Sequence, residues 1–283
     1  MTPIVSFVLT VLAMLLAPLN YLTAMGEQAA TPQVIERTLR WTGSPAQRVF
    51  ELSNISGSVR IVGENRSDVA VTARRTIRRQ ARSGGTEPAI DFRESGDRLL
   101  VCGDNRHCGC HVRSSRNDRW DDDDARVEVD FEVRVPANVT LDVCTVNNGT
   151  LRVERVNAPF TLHNVNGGIE MDRMGGSGDA VTVNGDVTAT FMSAPAAATA
   201  FKTVNGDITV TMPASLAADL RMHTMHGEMY TNFDTAPLPT STTAERRGRR
   251  TVYNANRSQM RVGKGGPELS FDTLNGDIEV RKP

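Results

Sequence analysis

Aromatic residues make up only 5% of this 283-residue chain, and no second long apolar run follows the N-terminal one. A core poor in rings suits ladders of β-branched side chains better than a ring-lined pocket for a flat cofactor, and none is expected. Net charge is nearly absent: 32 Lys and Arg stand against 33 Asp and Glu, leaving −1. No global field therefore steers the chain toward nucleic acid or an anionic membrane. Cysteine is scarce, at four residues. After the first segment no stretch carries a convincing helical period. What is present is a 39% hydrophobic set rich in Val, Ile, Leu and Met. The length allows one large or two modest domains.

From Ile4 to Leu19 the chain is almost wholly apolar, then turns small and polar through Thr23, Ala24, Met25, Gly26, Glu27 and Gln28. That pattern reads as a secretory signal peptide over 1-26, with Ala24 and Gly26 suited to the cleavage positions. The competing reading is an uncleaved anchor, although the run is short for a spanning helix and contains Pro18. Either way the expectation is export to the periplasm, cell surface or exterior. Any membrane contact would run through an uncleaved leader.

A short phrase recurs: Ile55-Ser56-Gly57-Ser58-Val59, Val165-Asn166-Gly167-Gly168-Ile169, Val183-Asn184-Gly185-Asp186-Val187 and Val204-Asn205-Gly206-Asp207-Ile208. It continues as Met225-His226-Gly227-Glu228-Met229 and Leu274-Asn275-Gly276-Asp277-Ile278; Val146-Asn147-Asn148-Gly149-Thr150-Leu151 carries one inserted residue. From Gly149 through Gly167, Gly185 and Gly206 to Gly227 the steps are 18, 18, 21 and 21 residues. Such spacing marks a solenoid, in which each coil buries its apolar face by stacking on its neighbours. A two-residue Asn-Gly hairpin is the alternative. It would send half of each copy's apolar residues to the wrong face. A strand merely bent at the glycine would put Val181, Val183, Val187 and Ala189 on one face and Thr182, Asn184, Asp186 and Thr188 on the other. A three-residue loop with a bulge would also preserve that parity. The glycine would let the chain turn a corner, and the asparagines of stacked coils would form a ladder.

Upstream, residues 34-135 read as irregular β-rich sequence, with alternation at Val59–Val62, Val69–Thr72, Ala89–Phe92, Leu99–Val101 and Val127–Val135. Residues 136-283 hold the repeats. Ala194 to Ala200 reads as a connecting loop, and a Thr-, Pro- and Arg-rich insertion near 234-262 as a loop without an apolar face. The last copy, after Pro267, is expected to close the stack. The fold class is all-β.

The line Val135-Pro136-Ala137-Asn138-Val139-Thr140-Leu141-Asp142-Val143, running into repeated Val-Asn-Gly-Asp-Val/Ile phrases, resembles the bacterial putative-adhesin family of exported proteins, otherwise a domain of unknown function. The resemblance spans roughly Leu52 to Val280. It implies an irregular β segment joined to a β-solenoid and supplies no catalytic residues. The chain departs from the pattern at the insert near Cys102 and in the loop after Asp234.

Few constellations could carry chemistry. Cys102, Cys108, Cys110 and Cys144, with His107 and His111, could hold Zn²⁺ or Cu⁺. The even cysteine count in an exported chain favours disulfides instead, which would exclude that metal site. Cys108 and Cys110 are too close to bridge each other easily, so Cys102 or Cys144 are the expected partners. Asp118 and Asp121 to Asp124 around Trp120 offer oxygen ligands but match no EF-hand spacing, and read as a solvated loop. Gly175-Gly176-Ser177-Gly178-Asp179 resembles a calcium-binding nonapeptide only superficially. Asp186, Asp207 and Asp277 could bind cations if stacked, or simply satisfy turn backbone. Arg74, Arg75, Arg78, Arg79 and Arg82, then Arg246, Arg247, Arg249 and Arg250, form basic clusters that could grip phosphate, anionic glycan or headgroups, and otherwise form a solvated face. Without interleaved aromatics they do not suit single-stranded nucleic acid. His163, His223 and His226 have no evident carboxylate partner and are not expected to be catalytic. The expectation is a non-catalytic binding module for a glycan or envelope protein. The alternative is a polysaccharide-acting enzyme whose carboxylates line one face.

Overall fold

β-Branched side chains restrict χ1 and favour pleated backbone, so segments rich in Val, Ile and Thr are biased toward strands. The structure is a computed structural model that describes residues 32–44, 47–82, 85–106, 108–110, 125–238, 245–247, 250–252 and 257–283. It is all-β, with no α-helix among the described residues. The expected leader lies outside them.

The first part supplies β1 (Gln33–Leu39), β2 (Val49–Ser56), β3 (Val59–Glu64), β4 (Val69–Arg79), β5 (Asp91–Ser95), β6 (Arg98–Cys102) and β7 (Arg126–Pro136). The repeats supply β8 (Thr140–Asn147), β9 (Leu151–Glu154), β10 (Phe160–His163), β11 (Ile169–Met174), β12 (Gly178–Val181) and β13 (Val187–Phe191). They continue with β14 (Thr199–Lys202), β15 (Ile208–Thr211), β16 (Ala218–His226) and β17 (Met229–Thr231). After β18 (Thr235–Pro237), β19 (Glu245–Arg247), β20 (Arg250–Val252) and β21 (Arg257–Val262), the chain ends in β22 (Glu268–Asn275) and β23 (Ile278–Arg281).

Two large mixed sheets contain every strand except the β19–β20 pair. The first runs β1-β4-β7-β3-β9-β11-β13-β15-β23-β17, and the second β18-β21-β16-β22-β14-β12-β10-β8-β2-β6-β5. Each glycine-bearing phrase joins a strand of the second sheet to one of the first, and each such pair makes one rung. Successive rungs pair parallel and in register: Ala180 lies between Leu162 and Phe201, and Val187 between Ile169 and Ile208. Their inward side chains form one contiguous buried cluster, with Phe201 stacked on Phe271 at 5.3 Å between ring centroids. Burying a residue such as Ile208, Val210 or Phe201 stabilises by about 1.5–3 kcal/mol, a gain each rung realises only against its neighbours.

Three expectations are corrected. The last copy does not close the stack: β22 pairs with β14 on one side and β16 on the other, so Gly276 sits between Gly206 and Gly227. The segment near 234-262 is not simply a loop, since β18 and β21 extend the second sheet and β19 pairs with β20. Ala194–Ala198 is the connecting loop the sequence suggests, and it leads into β14 at Thr199.

The third correction concerns parity. Val183 is 37% exposed while Thr182 is 1% exposed and Val187 fully buried, so Val183 and Val187 do not share a face. Alternation stops at the corner and restarts in the other sheet. Both Val183 and Asn184 point outward there. The copies at Gly167, Gly206, Gly227 and Gly276 behave alike, with Val165, Val204, Met225 and Leu274 exposed.

Candidate functional site

The repeated corner lines up four columns of side chains from rung to rung. The innermost column is threonine. Thr182, Thr203, Thr273 and Thr224 are buried, and their hydroxyls donate to the carbonyl oxygens of Gly167, Gly185, Gly206 and Gly276 at 2.8–3.0 Å. Asn164 does the equivalent work through Nδ2, bonding the Gly149 carbonyl, while Asn54 Nδ2 bonds the Val129 carbonyl on the neighbouring strand and the Gly57 carbonyl of its own corner. A buried carbonyl left unpaired costs free energy, so this column holds each corner on the one before it. Sequence reasoning passed over it by reading these threonines as outward. The available signal was a Thr or Asn three residues before the corner Gly-Asp or Gly-Gly.

The glycines stand beside that column. A Cβ on Gly185 would come within 2.5 Å of the Gly167 carbonyl group, and one on Gly206 or Gly276 would overlap the carbonyl of the preceding corner. Both constraints, close approach and φ near +150°, demand glycine at Gly185 and Gly276. Gly149, Gly167 and Gly227 meet the preceding corner in the same way, and Gly57 meets the Val129 carbonyl.

The outer columns face solvent. Asn166, Asn184, Asn205 and Asn275 each donate through Nδ2 to Oδ1 of Asn147, Asn166, Asn184 and Asn205, at 2.8, 2.9, 2.8 and 2.7 Å. Bonds in such a chain polarise one another. Each carboxamide retains a second N–H and further acceptor capacity for a partner. Val165, Val183, Val204, Leu274 and Met225 run alongside as an exposed apolar stripe. Asp186, Asp207 and Asp277 satisfy turn backbone: their Oδ1 atoms accept the N–H of Asp207, Asp277 and Glu228 at 2.8–2.9 Å.

Glu154 is the strongly perturbed carboxylate among the described residues. Hydrogen bonds from Arg60 and Arg152, at 2.9 and 2.8 Å, outweigh its desolvation and hold its pKa at about 2. Arg152 also reaches Glu170, so the network crosses three adjacent strands. A carboxylate held between two guanidiniums is a structural clasp, since it is not placed to accept a proton near neutral pH.

The cysteines form two disulfides, Cys102–Cys108 and Cys110–Cys144, each with Cα atoms 5.4 Å apart. Oxidised sulfurs are not thiolate ligands. His107 and His111 lie outside the described residues, as do Asp118, Trp120 and Asp121–Asp124. Among the described residues no group of three or more His, Cys, Asp or Glu is arranged to hold a metal ion. Gly175–Asp179 forms the opposite corner of a rung, where Gly176 packs on the Ala158 carbonyl.

His223 has a carboxylate neighbour after all, with Nδ1 3.1 Å from Asp272 Oδ1. The pairing arises because β22 inserts beside β16, which the linear sequence conceals. In register beyond Asp272 lies Lys202. His163 faces Cys144 and Val181, and His226 faces Asn275. Of the basic residues, Arg74, Arg75, Arg78 and Arg79 lie on β4; Arg75 pairs with Glu87 and Arg78 with Glu128, both at 2.9 Å. Arg246, Arg247 and Arg250 lie on β19 and β20. Arg249 lies outside the described residues.

No family model matches this chain, and no curated protein matches it. Among solved structures, one described as a putative cell adhesion protein from Clostridium sporogenes is 12% identical with a TM-score of 0.49, covering 89% of this chain and all of that one. A second, described as a putative lipid binding protein from Parabacteroides distasonis, is 9% identical with a TM-score of 0.30, covering 89% of this chain and 97% of that one. Neither likeness carries an argument about what this chain binds. The description the geometry sustains is an all-β chain of two large mixed sheets, cross-linked by two disulfides of the kind that persist in oxidising compartments.

Proposed function

We propose that this chain is an exported, non-catalytic binding module, built as a β-solenoid, whose glycine-corner edge engages a glycan or an envelope protein. The observation that carries the reading is the asparagine ladder beside its apolar stripe. From Asn147 to Asn275 every carboxamide is held by its neighbours while keeping unspent hydrogen-bonding capacity. The stripe offers C–H contacts at the same rung spacing. Pre-ordered amides lose little freedom on binding. A repetitive polymer would meet the same chemistry at each step.

Parallel register through β8–β15 and β22–β23 supports the solenoid reading, with residues 136-283 as the repeats and 34-135 as the β-rich part that ends the stack. The two disulfides and the apolar leader support export. Against an enzymatic reading stands the employment of the repeat carboxylates, each of which accepts a backbone N–H from the next rung. A glycosidase would need two convergent carboxyl groups across a cleft.

The test is retention of the mature chain on purified envelope polysaccharide and on envelope protein fractions, beside a double variant with Val183→Lys and Val204→Lys. Retention that falls about tenfold in the variant, with an unchanged melting transition, is the expected result. Turnover of the polysaccharide, or equal retention of both proteins, overturns the reading.

A further inference from the structure

An asparagine followed by glycine is chemically labile, because no Cβ shields the glycine nitrogen from the carboxamide carbon before it. The chain contains five such pairs, beginning at Asn148, Asn166, Asn184, Asn205 and Asn275. They share one chemistry and differ in how their atoms are held.

In four pairs every group that ring closure must move is engaged. The N–H of Asn166, Asn184, Asn205 and Asn275 donates to the carbonyl of Val146, Val165, Val183 and Val204, at 2.8–2.9 Å. Their carboxamides are fixed in the ladder. The N–H of Gly167, Gly185, Gly206 and Gly276 donates to the carbonyl of Asn184, Asn205, Asn275 and His226, at 2.8–3.0 Å. The nitrogen that would attack is therefore tied to the next rung.

The fifth pair stands apart. Asn148 is the inserted residue of its corner, exposed and held at φ +60°, a left-handed conformation that asparagine tolerates. Among the described residues neither its carboxamide nor the Gly149 N–H has a hydrogen-bond partner. Thr145, the counterpart of Thr182, also leaves its buried hydroxyl without one.

We propose that Asn148 is a covalent modification site, at which the folded chain deamidates through a cyclic imide. The Gly149 nitrogen attacks Cγ of Asn148 and a new N–C bond forms. The Cγ–Nδ2 bond breaks, and Nδ2 leaves as ammonia with the glycine proton. One water then opens either carbonyl of the ring, giving an aspartyl or an isoaspartyl residue at that position. The product places a new carboxylate beside Asn147, whose Oδ1 accepts the first bond of the ladder. In the isoaspartyl form it also adds a methylene to the main chain of the corner. This chemistry goes beyond the binding reading and needs no ligand.

The experiment is incubation of the oxidised chain at mildly alkaline pH in water enriched in heavy oxygen, with mass spectrometry of each Asn-Gly peptide. A reduced sample unfolded in guanidinium runs beside it. In the folded chain Asn148 should react at least about tenfold faster than the other four, which react only through local opening. Unfolding should bring all five rates to within a few-fold of one another. Both aspartyl and isoaspartyl products should appear at Asn148, each carrying heavy oxygen. Asn148→Gln, whose ring closure is slower, should remove the early acidic species on isoelectric focusing, with its fold checked by thermal melting. The proposal is overturned if Asn148 is as slow as its siblings in the folded chain, if the rate gap persists after unfolding, or if aspartyl product alone forms.

Discussion

The central rungs and the N-terminal end solve the same problem by different means. From β10 to β15 each corner is held by one set of bonds: a threonine or asparagine to a glycine carbonyl, an asparagine to an asparagine, and strands in parallel register. The N-terminal end adds antiparallel β1, β4 and β7, the β5–β6 pair, exposed ion pairs such as Arg78–Glu128, and two disulfides. Translation explains the contrast. A rung with identical neighbours can reuse one small motif, whereas the end of a stack lacks a neighbour and must close its hydrogen bonds and its core by other devices.

The largest expected effect breaks the repeat itself. Gly206→Val forces a side chain into the Gly185 carbonyl and should cost more than about 3 kcal/mol in chemical denaturation. Gly96→Ala, in the β5–β6 turn with φ +58° and open space around it, should cost only about 1 kcal/mol. Comparable losses at both sites would remove close approach as the reason for the corner glycines.

Replacing Cys110 and Cys144 by alanine opens a covalent loop with a sequence separation of 34, worth about 3–4 kcal/mol by chain entropy. Hydrogen exchange should show the loss concentrated in β2 and β8, with β13 and β15 still protected. Uniform loss of protection would mean that the two regions unfold as one unit.

Where the regions meet, Glu154→Gln should cost about 1–2 kcal/mol near neutral pH, a figure discounted because both arginines are half exposed. Its folded pKa, about 2, lies below the ordinary 4.5. The carboxylate's contribution is therefore complete above about pH 4.5 and is lost as pH falls through about 2. The parent should lose stability across that window relative to the Gln variant, and parallel acid-unfolding curves would contradict the clasp. Smallest, Thr203→Val should cost about 1 kcal/mol by leaving the Gly185 carbonyl without its hydroxyl partner. A loss no larger than that of exposed Thr188→Val would show that the buried column is dispensable.

Much of the fold was legible in the residues. Recurrent Val-Asn-Gly-Asp phrases announced stacking, because only regular superposition puts Asn184 within 2.9 Å of Asn166 and 2.8 Å of Asn205. The even cysteine count announced disulfides, and Cys102 and Cys144 do take Cys108 and Cys110 as partners. The inward role of Thr182 stayed hidden because alternation was carried through the corner, where the backbone changes sheets and the count restarts. The pairing of Arg79 with Arg126 across β4 and β7 also stayed hidden. Arg79 and Arg126 are far apart in sequence and meet only through the β4–β7 register.

By itself the sequence determined that the chain is built of strands, where its corners fall and which residue each corner demands, since these follow from local sterics and a repeat read along one chain. Only the tertiary structure decided the order of the rungs. β22–β23 could enter between β14–β15 and β16–β17 because the Gly206 corner presents the same glycine carbonyl and asparagine amide as the corners before it, and Thr224 bonds the Gly276 carbonyl in turn, so the stack does not distinguish a sequence neighbour from a late arrival. That insertion placed Asp272 beside His223, and the packing of β7 against β4 brought Arg126 beside Arg79.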